Sequence, residues 1–204
     1  MISSIIGILF FVLLFFLLYK KYSTLYIDET PEIYKKYTLP YLQKYYIQNT
    51  KWVDDMIHYK TSQIVYYRNS NFLICKDNKW QTDNIKDFYI LAIPIEKIMT
   101  IRDLRQQHIG LLESMKYRLT KIAEAFNINS RDLVFFFHYM PSIFQLHLHC
   151  CLKTNYHATN LSRGMYYYEI VLDKLGKDNE YWKTATINYS LTFNNHIVKE
   201  LFLK

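Results

Sequence analysis

The sequence predicts an α+β fold in which a mainly antiparallel sheet is combined with one long helix and preceded by an N-terminal transmembrane helix. Three observations carry that expectation: short β-rich runs lie between polar turns, the stretch Asp103 to Asn127 has apolar residues at helical spacing, and Met1 to Tyr19 contains no charged side chain.

The N-terminal run "MISSIIGILFFVLLFFLLYKKY" is about as long as a helix needs to be to cross a bilayer. A secretory signal is the competing reading, but no basic segment precedes the apolar run and no small-residue cleavage site follows it. Because Lys20 and Lys21 come after the span, the positive-inside rule places the remainder of the chain in the cytoplasm. Residues 1–20 are therefore expected to form a single-pass membrane anchor. From 21 to 50, Pro31 and Pro40 stand among tyrosines and lysines, which suggests a partly extended linker rather than one long helix. The compact domain is expected over 51–204.

Within it, "QIVYY" (Gln63 to Tyr67) and "FLICK" (Phe72 to Lys76) flank the polar turn Arg68 to Asn71 and read as a hairpin. "FYILAIP" (Phe88 to Pro94) is apolar throughout, the pattern of a central strand, and Pro94 stops it. From Asp103 to Asn127, Leu104, Leu111, Leu112, Met115, Leu119, Ile122, Ala123 and Phe126 recur at threes and fours, predicting one amphipathic helix. "LVFFFHY" (Leu133 to Tyr139) and "FQLHLHCCLK" (Phe144 to Lys153) predict two further strands around Met140-Pro141-Ser142. "TINYSLTF" (Thr186 to Phe193) predicts another, followed by a short helical tail.

Composition narrows the function classes. High aromatic content, 18% with 20 Tyr and 13 Phe, and scarce Gly and Pro exclude a disordered or collagen-like chain. Three cysteines, two of them adjacent, make no disulfide framework and fit a reducing compartment. A formal charge of +7 favours an anionic partner, whether nucleotide, nucleic acid or lipid surface, with a solvated basic face as the alternative.

The densest chemistry lies in "HYMPSIFQLHLHCC", His138 to Cys151. Gln145, His147 and His149 alternate with apolar residues, so a strand here sets two imidazoles side by side on one face. Three readings follow. A metal site would use His147 and His149, with no third ligand evident; a polar sheet face would use them for no chemistry; and a neutral imidazole nitrogen could attack phosphorus while its neighbours stabilise the developing charge.

"QLHLHCC" resembles the histidine-triad motif of nucleotide hydrolases and transferases, and "FHYMPSIFQLHLH" is similar to the active-site segment of the scavenger mRNA decapping enzymes. Further resemblances run in order: "ETPEIYKKYTLPYL" to that family's hinge segment, "TKW" ending at Trp52, "KDNKW" from Lys76 to Trp80, "DFYILAI" from Asp87 to Ile93, "IRDLRQQHIGLL" from Ile101 to Leu112, and "LSRGM" holding Arg163. The resemblance implies a histidine-triad-like domain over 51–204, a hinge-like linker over 21–50 and a metal-independent pyrophosphatase that needs no cofactor.

Carried over by residue, the resemblance implies that His147 is the nucleophile, attacking the phosphate nearest a 7-methylguanosine. It implies that His149, His138, Ser142, Tyr89 and Arg163 hold phosphate oxygens, and that Asp77 and Lys79 line the cap pocket with Trp52 stacked on the base. A methylated guanine is cationic, which suits an indole face, and a triphosphate bridge suits a basic lining. Capped RNA fragments or cap dinucleotide are the implied partners, alongside a membrane through residues 1–20, and a homodimer through the triad domain is left open. Gln145 stands where the triad's first histidine belongs and is carried as a substrate-binding position, Asn78 replaces a leucine, and Lys60 falls where the family has a base-reading glutamate. The family's N-terminal domain has no counterpart between anchor and hinge-like segment. Two other readings therefore stand beside the hydrolase: a tethered cap-binding or nucleotide-binding module without turnover, and a triad hydrolase of another dinucleotide.

Overall fold

The computed structural model describes residues 24–81, 84–156, 164–192, 195, 198 and 200. Two antiparallel sheets organise them. A six-stranded sheet has the order β2-β3-β4-β6-β5-β7, formed by β2 (Val65–Arg68), β3 (Phe72–Lys76), β4 (Tyr89–Pro94), β5 (Leu133–His138), β6 (Leu148–Leu152) and β7 (Met165–Tyr167). The second sheet pairs β1 (Thr24–Glu29) with β8 (Ile187–Thr192), from Thr24 opposite Thr192 to Glu29 opposite Ile187. Three longer helices complete the fold: α1 (Leu39–Ile57), α2 (Ile109–Ala125) and α3 (Tyr168–Lys177). The α+β architecture with antiparallel pairing is as expected; the one long helix expected from Asp103 to Asn127 is α2, which starts at Ile109 after two 3-10 turns, and α1 is a second long helix.

Apolar periodicity explains most of it. All six residues of β4 are buried, as a strand with neighbours on both sides requires. In α2 the fully buried residues Leu112, Met115, Leu119 and Ala123 form one stripe at threes and fours, and the helix packs on β4 and β6. The expected hairpin is present as β2 and β3, closed by Asn69, whose side-chain oxygen accepts from the backbone N–H groups of Asn71 and Phe72.

Residues 24–57 are more regular than a partly extended linker. After β1, Thr30 caps a helical run that starts at Pro31 and continues through a π turn, Tyr34–Thr38, into α1. Leu39 donates to the Tyr34 carbonyl across that widened turn, which admits Pro40, a residue with no N–H to give. At the junction the buried Glu29 carboxylate receives bonds from Arg102 (2.9 Å), Thr38 and Tyr139, so β1, the turn before α2 and the end of β5 share one buried ionic cluster.

Two expectations are corrected. Among the described residues no helix is long and apolar enough to cross a membrane, so the N-terminal transmembrane helix and the single-pass placement facing the cytoplasm are not supported; residues 1–20, on which both rested, lie outside the described residues. The longest described helix, α1, shows the physical obstacle, since Lys44, Lys51, Asp54 and Asp55 interrupt it. The second correction concerns the strand over Phe144 to Lys153. Ladder pairing begins at Leu148, because the segment before it turns to other partners: Leu146 donates to the Ile98 carbonyl (2.6 Å) and the Gln145 carbonyl accepts from the His147 ring.

Candidate active site

The site is built on the middle of the large sheet, where β6 lies between β4 and β5. Register sets Leu91 of β4 and Phe136 of β5 on either side of His149. The period of two then brings Tyr89 and His138 onto the same face as His149. The outcome is a cluster of three imidazoles, with ring centroids 4.6 Å apart for His147 and His149 and 4.7 Å for His138 and His149.

Each of the two buried rings has a hydrogen bond that selects its tautomer. Nδ1 of His147 lies 2.7 Å from the Gln145 carbonyl, an acceptor only, so Nδ1 carries the proton and Nε2 keeps its lone pair. His149 is arranged the other way. Its Nδ1 lies 2.9 Å from the Tyr89 hydroxyl, and that hydroxyl already accepts from the Lys79 ammonium at 3.3 Å. Tyr89 therefore donates its own proton to Nδ1, leaving the proton of His149 on Nε2, which is buried without a hydrogen-bond partner among the described residues. One ring offers a lone pair and the other an unmatched N–H.

Electrostatics keep both rings neutral. Burial pulls the pKa of His147 below the ordinary imidazole value, reinforced by Lys79 and opposed by the Gln145 carbonyl and Asp77. Burial drives His149 lower still, and His147, His138 and Lys79 add to the effect. The His149 ring also stacks on Phe136, with centroids 4.9 Å apart and planes 2° from parallel, so its orientation is fixed by packing as well as by Tyr89.

Lys79 comes from the turn after β3. Asp77 shapes that turn: its Oδ1 accepts from the Lys79 backbone N–H (2.7 Å) and its own N–H donates to the Tyr89 carbonyl (3.0 Å). The Lys79 ammonium then lies 4.7 Å over the Tyr89 ring. Asp77 and Lys79 thus stand beside the histidines.

Other expected residues are placed differently. The Gln145 side chain is engaged within the protein, where Oε1 accepts from Tyr46 (2.8 Å) and Nε2 donates to the carbonyls of Pro94 (2.8 Å) and Glu96 (2.7 Å). Ser142 is exposed, its carbonyl accepts from Asn49 on α1, and it lines a 440 Å³ cavity with Tyr41, Tyr45 and Phe144 away from the imidazole contacts. Trp52 lies on α1, partly buried against the core, with no described contact to the histidines. Arg163 lies outside the described residues. No group of three His, Cys, Asp or Glu side chains that could hold a metal occurs among the described residues.

Sequence reasoning missed the α1 side of the site. Tyr46 reaches Gln145, and Asn49 both donates to the Ser142 carbonyl and accepts from the Phe144 N–H (2.6 Å), clamping the segment that leads into His147. Their separation by one helical turn, three residues before Trp52, was the available signal.

Known proteins resemble the chain over part of its length. The model of the family described as "Scavenger mRNA decapping enzyme C-term binding" matches residues 51–163. A protein named m7GpppX diphosphatase from Ascaris suum is 31% identical over 138 residues, covering 64% of this chain and 46% of that protein. One of the same name from Caenorhabditis elegans is 27% identical over 180 residues, covering 84% and 57%. The chain thus spans about half the length of the curated relatives it matches. Among solved structures, a HIT family hydrolase from Legionella pneumophila Philadelphia 1 aligns with a TM-score of 0.42 at 21% identity, over 48% of this chain and 88% of that one.

Proposed function

The chain belongs to the family of the scavenger mRNA decapping enzyme C-terminal domain, and from that premise we propose that it hydrolyses the triphosphate bridge of a 7-methylguanosine cap. The observation that carries the proposal is the bond from His147 Nδ1 to the Gln145 carbonyl, because it leaves an unprotonated Nε2 beside a buried, unmatched N–H on His149. In this reading, residues 51–204 are the triad domain and the preceding segment packs against it.

In the first step the Nε2 lone pair of His147 attacks the phosphorus nearest the methylated guanosine. The P–O bond to the middle phosphate breaks, its electrons leave with that oxygen, and a nucleoside diphosphate or the diphosphate end of a short RNA departs. His149 Nε2–H and His138 hold the equatorial oxygens, with Tyr89 and Lys79 fixing the tautomer of His149. Water then attacks the phosphorus of the nucleotidyl-histidine, the P–N bond breaks, and 7-methylguanosine monophosphate is released with His147 neutral again and a proton passed to solvent. Asp77 and Lys79 border the cap side, Trp52 supplies an indole face for the cationic base, and Arg163 supplies a further phosphate contact, whereas Ser142, which lines a separate cavity, is given no contact in this step.

Multiple turnover on capped dinucleotide in the presence of EDTA, with products separated by chromatography, tests the proposal. Release of 7-methylguanosine monophosphate by the wild-type chain and not by His147→Asn is expected. Cap binding without product would instead favour a binding module, and turnover of diadenosine polyphosphate alone would favour a hydrolase of another dinucleotide.

A further inference from the structure

Two lysine-over-tyrosine pairs connect to the histidine pair. On one side Lys79 lies over Tyr89, and the Tyr89 hydroxyl meets His149. On the other, the Lys97 ammonium lies 4.1 Å from the centroid of the Tyr46 ring, and the Tyr46 hydroxyl donates to Gln145, the residue whose carbonyl holds His147. Gln145 closes this second arm through its amide nitrogen, which binds the carbonyls of Pro94 and Glu96 and so ties the turn bearing Lys97 to the histidine segment.

The charges of that turn are sorted. The Glu96 carboxylate is directed to His108, with Oε1 3.6 Å from Nε2, while Lys97 is exposed and makes no ion pair among the described residues. A flexible lysine with nothing to neutralise it usually points into water. Here its ammonium is held over a ring that is itself fixed by a hydrogen bond. The turn therefore presents a positive charge on the Gln145 side of the nucleophile and its negative charge elsewhere.

We propose that Lys97 is a second phosphate-contact residue, positioned by Tyr46 and Gln145, that binds the departing diphosphate at the end of the bridge opposite Lys79. This rests on the cap-hydrolase reading for the orientation of the substrate: Lys79 adjoins Asp77 on the cap side, so the arm through Lys97 serves the side that leaves. Charge accumulates on the leaving oxygens as the P–O bond breaks, and an ammonium there stabilises the transition state more than the intact bridge. The triad's first position then has a structural use, since a glutamine can hold two carbonyls and a phenol at once and a histidine, with two ring nitrogens, cannot.

The test uses the full chain, titrated calorimetrically with adenosine diphosphate and, separately, with 7-methylguanosine monophosphate, for wild type, Lys97→Ala, Lys97→Arg and Lys79→Ala. Lys97→Ala is expected to weaken the diphosphate by about tenfold while leaving the methylated monophosphate within about twofold, with most of the loss restored by Lys97→Arg. Lys79→Ala should show the reverse preference. Tyr46→Phe, which keeps the ring under Lys97 but frees Gln145, should lower kcat on capped dinucleotide more than it raises KM. Diphosphate binding unchanged in Lys97→Ala overturns the inference. Turnover of capped dinucleotide by the wild type is measured on the same preparation: its absence would sink the cap-hydrolase reading, whereas a selective loss of diphosphate binding in Lys97→Ala would still support Lys97 as a phosphate contact.

Discussion

Tyr89 and His149 meet across two neighbouring strands, hydroxyl to Nδ1 at 2.9 Å, and Lys79 sets the direction of that bond by donating to the same hydroxyl. Burial raises the Tyr89 pKa far above the ordinary phenol value, so the group stays protonated and acts as a fixed donor.

Tyr89→Phe removes this donor while preserving the ring that packs on Phe136. His149 is then free to take either tautomer. We expect kcat to fall by roughly 10- to 100-fold with KM little changed, the range seen when the hydrogen-bond partner that orients a functional histidine is lost. Nitrogen chemical shifts of His149 should move from a single tautomer toward a mixture.

The acid limb of the pH profile should lie below the ordinary imidazole value of 6.5, because His147 and His149 are both held neutral by burial. The sign for stability is the same. Between the lowered folded pKa and the unfolded one, the unfolded chain binds more protons, so stability present above the unfolded value is lost as pH falls. Urea midpoints measured across the acid range should drop with pH, and His147→Asn should flatten part of that slope.

Gln145→Leu strands the Pro94 carbonyl at a buried position and takes the partner from the part-buried Glu96 carbonyl and Tyr46 hydroxyl. With one fully buried group left unmatched, a loss on the order of 1–3 kcal/mol in unfolding free energy is expected. Activity should fall further than stability accounts for, because the same residue carries the carbonyl that holds His147.

Removal of Glu29 should be among the most damaging substitutions away from the site. Glu29 and Arg102 are both buried, and Arg102 also donates to the carbonyls of Glu29, Trp182 and Ala185. Glu29→Ala leaves the guanidinium buried without its carboxylate, at a cost of about 3–5 kcal/mol measurable by chemical denaturation.

What was legible in the sequence was what local periodicity encodes. The fully apolar β4, the hairpin β2–β3 and the buried stripe of α2 were found because each repeats its pattern within a few residues. β1 and α3 were missed: the first is a short strand whose partner, β8, lies at the far end of the chain, and the second is a ten-residue helix with only Tyr168, Val171 and Leu175 buried. In the site, His138, His147 and His149 were visible as a motif and Tyr89, Asp77 and Lys79 through ordered resemblance. Tyr46 and Lys97 were not, since what makes them matter is contact with residues far along the chain. The alternation that predicted a strand through Gln145 and His147 reflected two residues whose side chains and carbonyls bond locally and to the 94–96 turn instead. An apolar N-terminal run predicted a membrane span, and no described helix provides one.

In the proposed mechanism His147 Nε2 becomes bonded to phosphorus. Rapid mixing of the chain with capped dinucleotide, quenching in alkaline denaturant where a phosphoramidate survives, and mass spectrometry of the intact protein and its peptides test it directly. A transient 7-methylguanylyl adduct is expected that maps to His147, forms before free 7-methylguanosine monophosphate appears, and is absent in His147→Asn. Product release with no adduct at any time, together with retained turnover in His147→Asn, would contradict it.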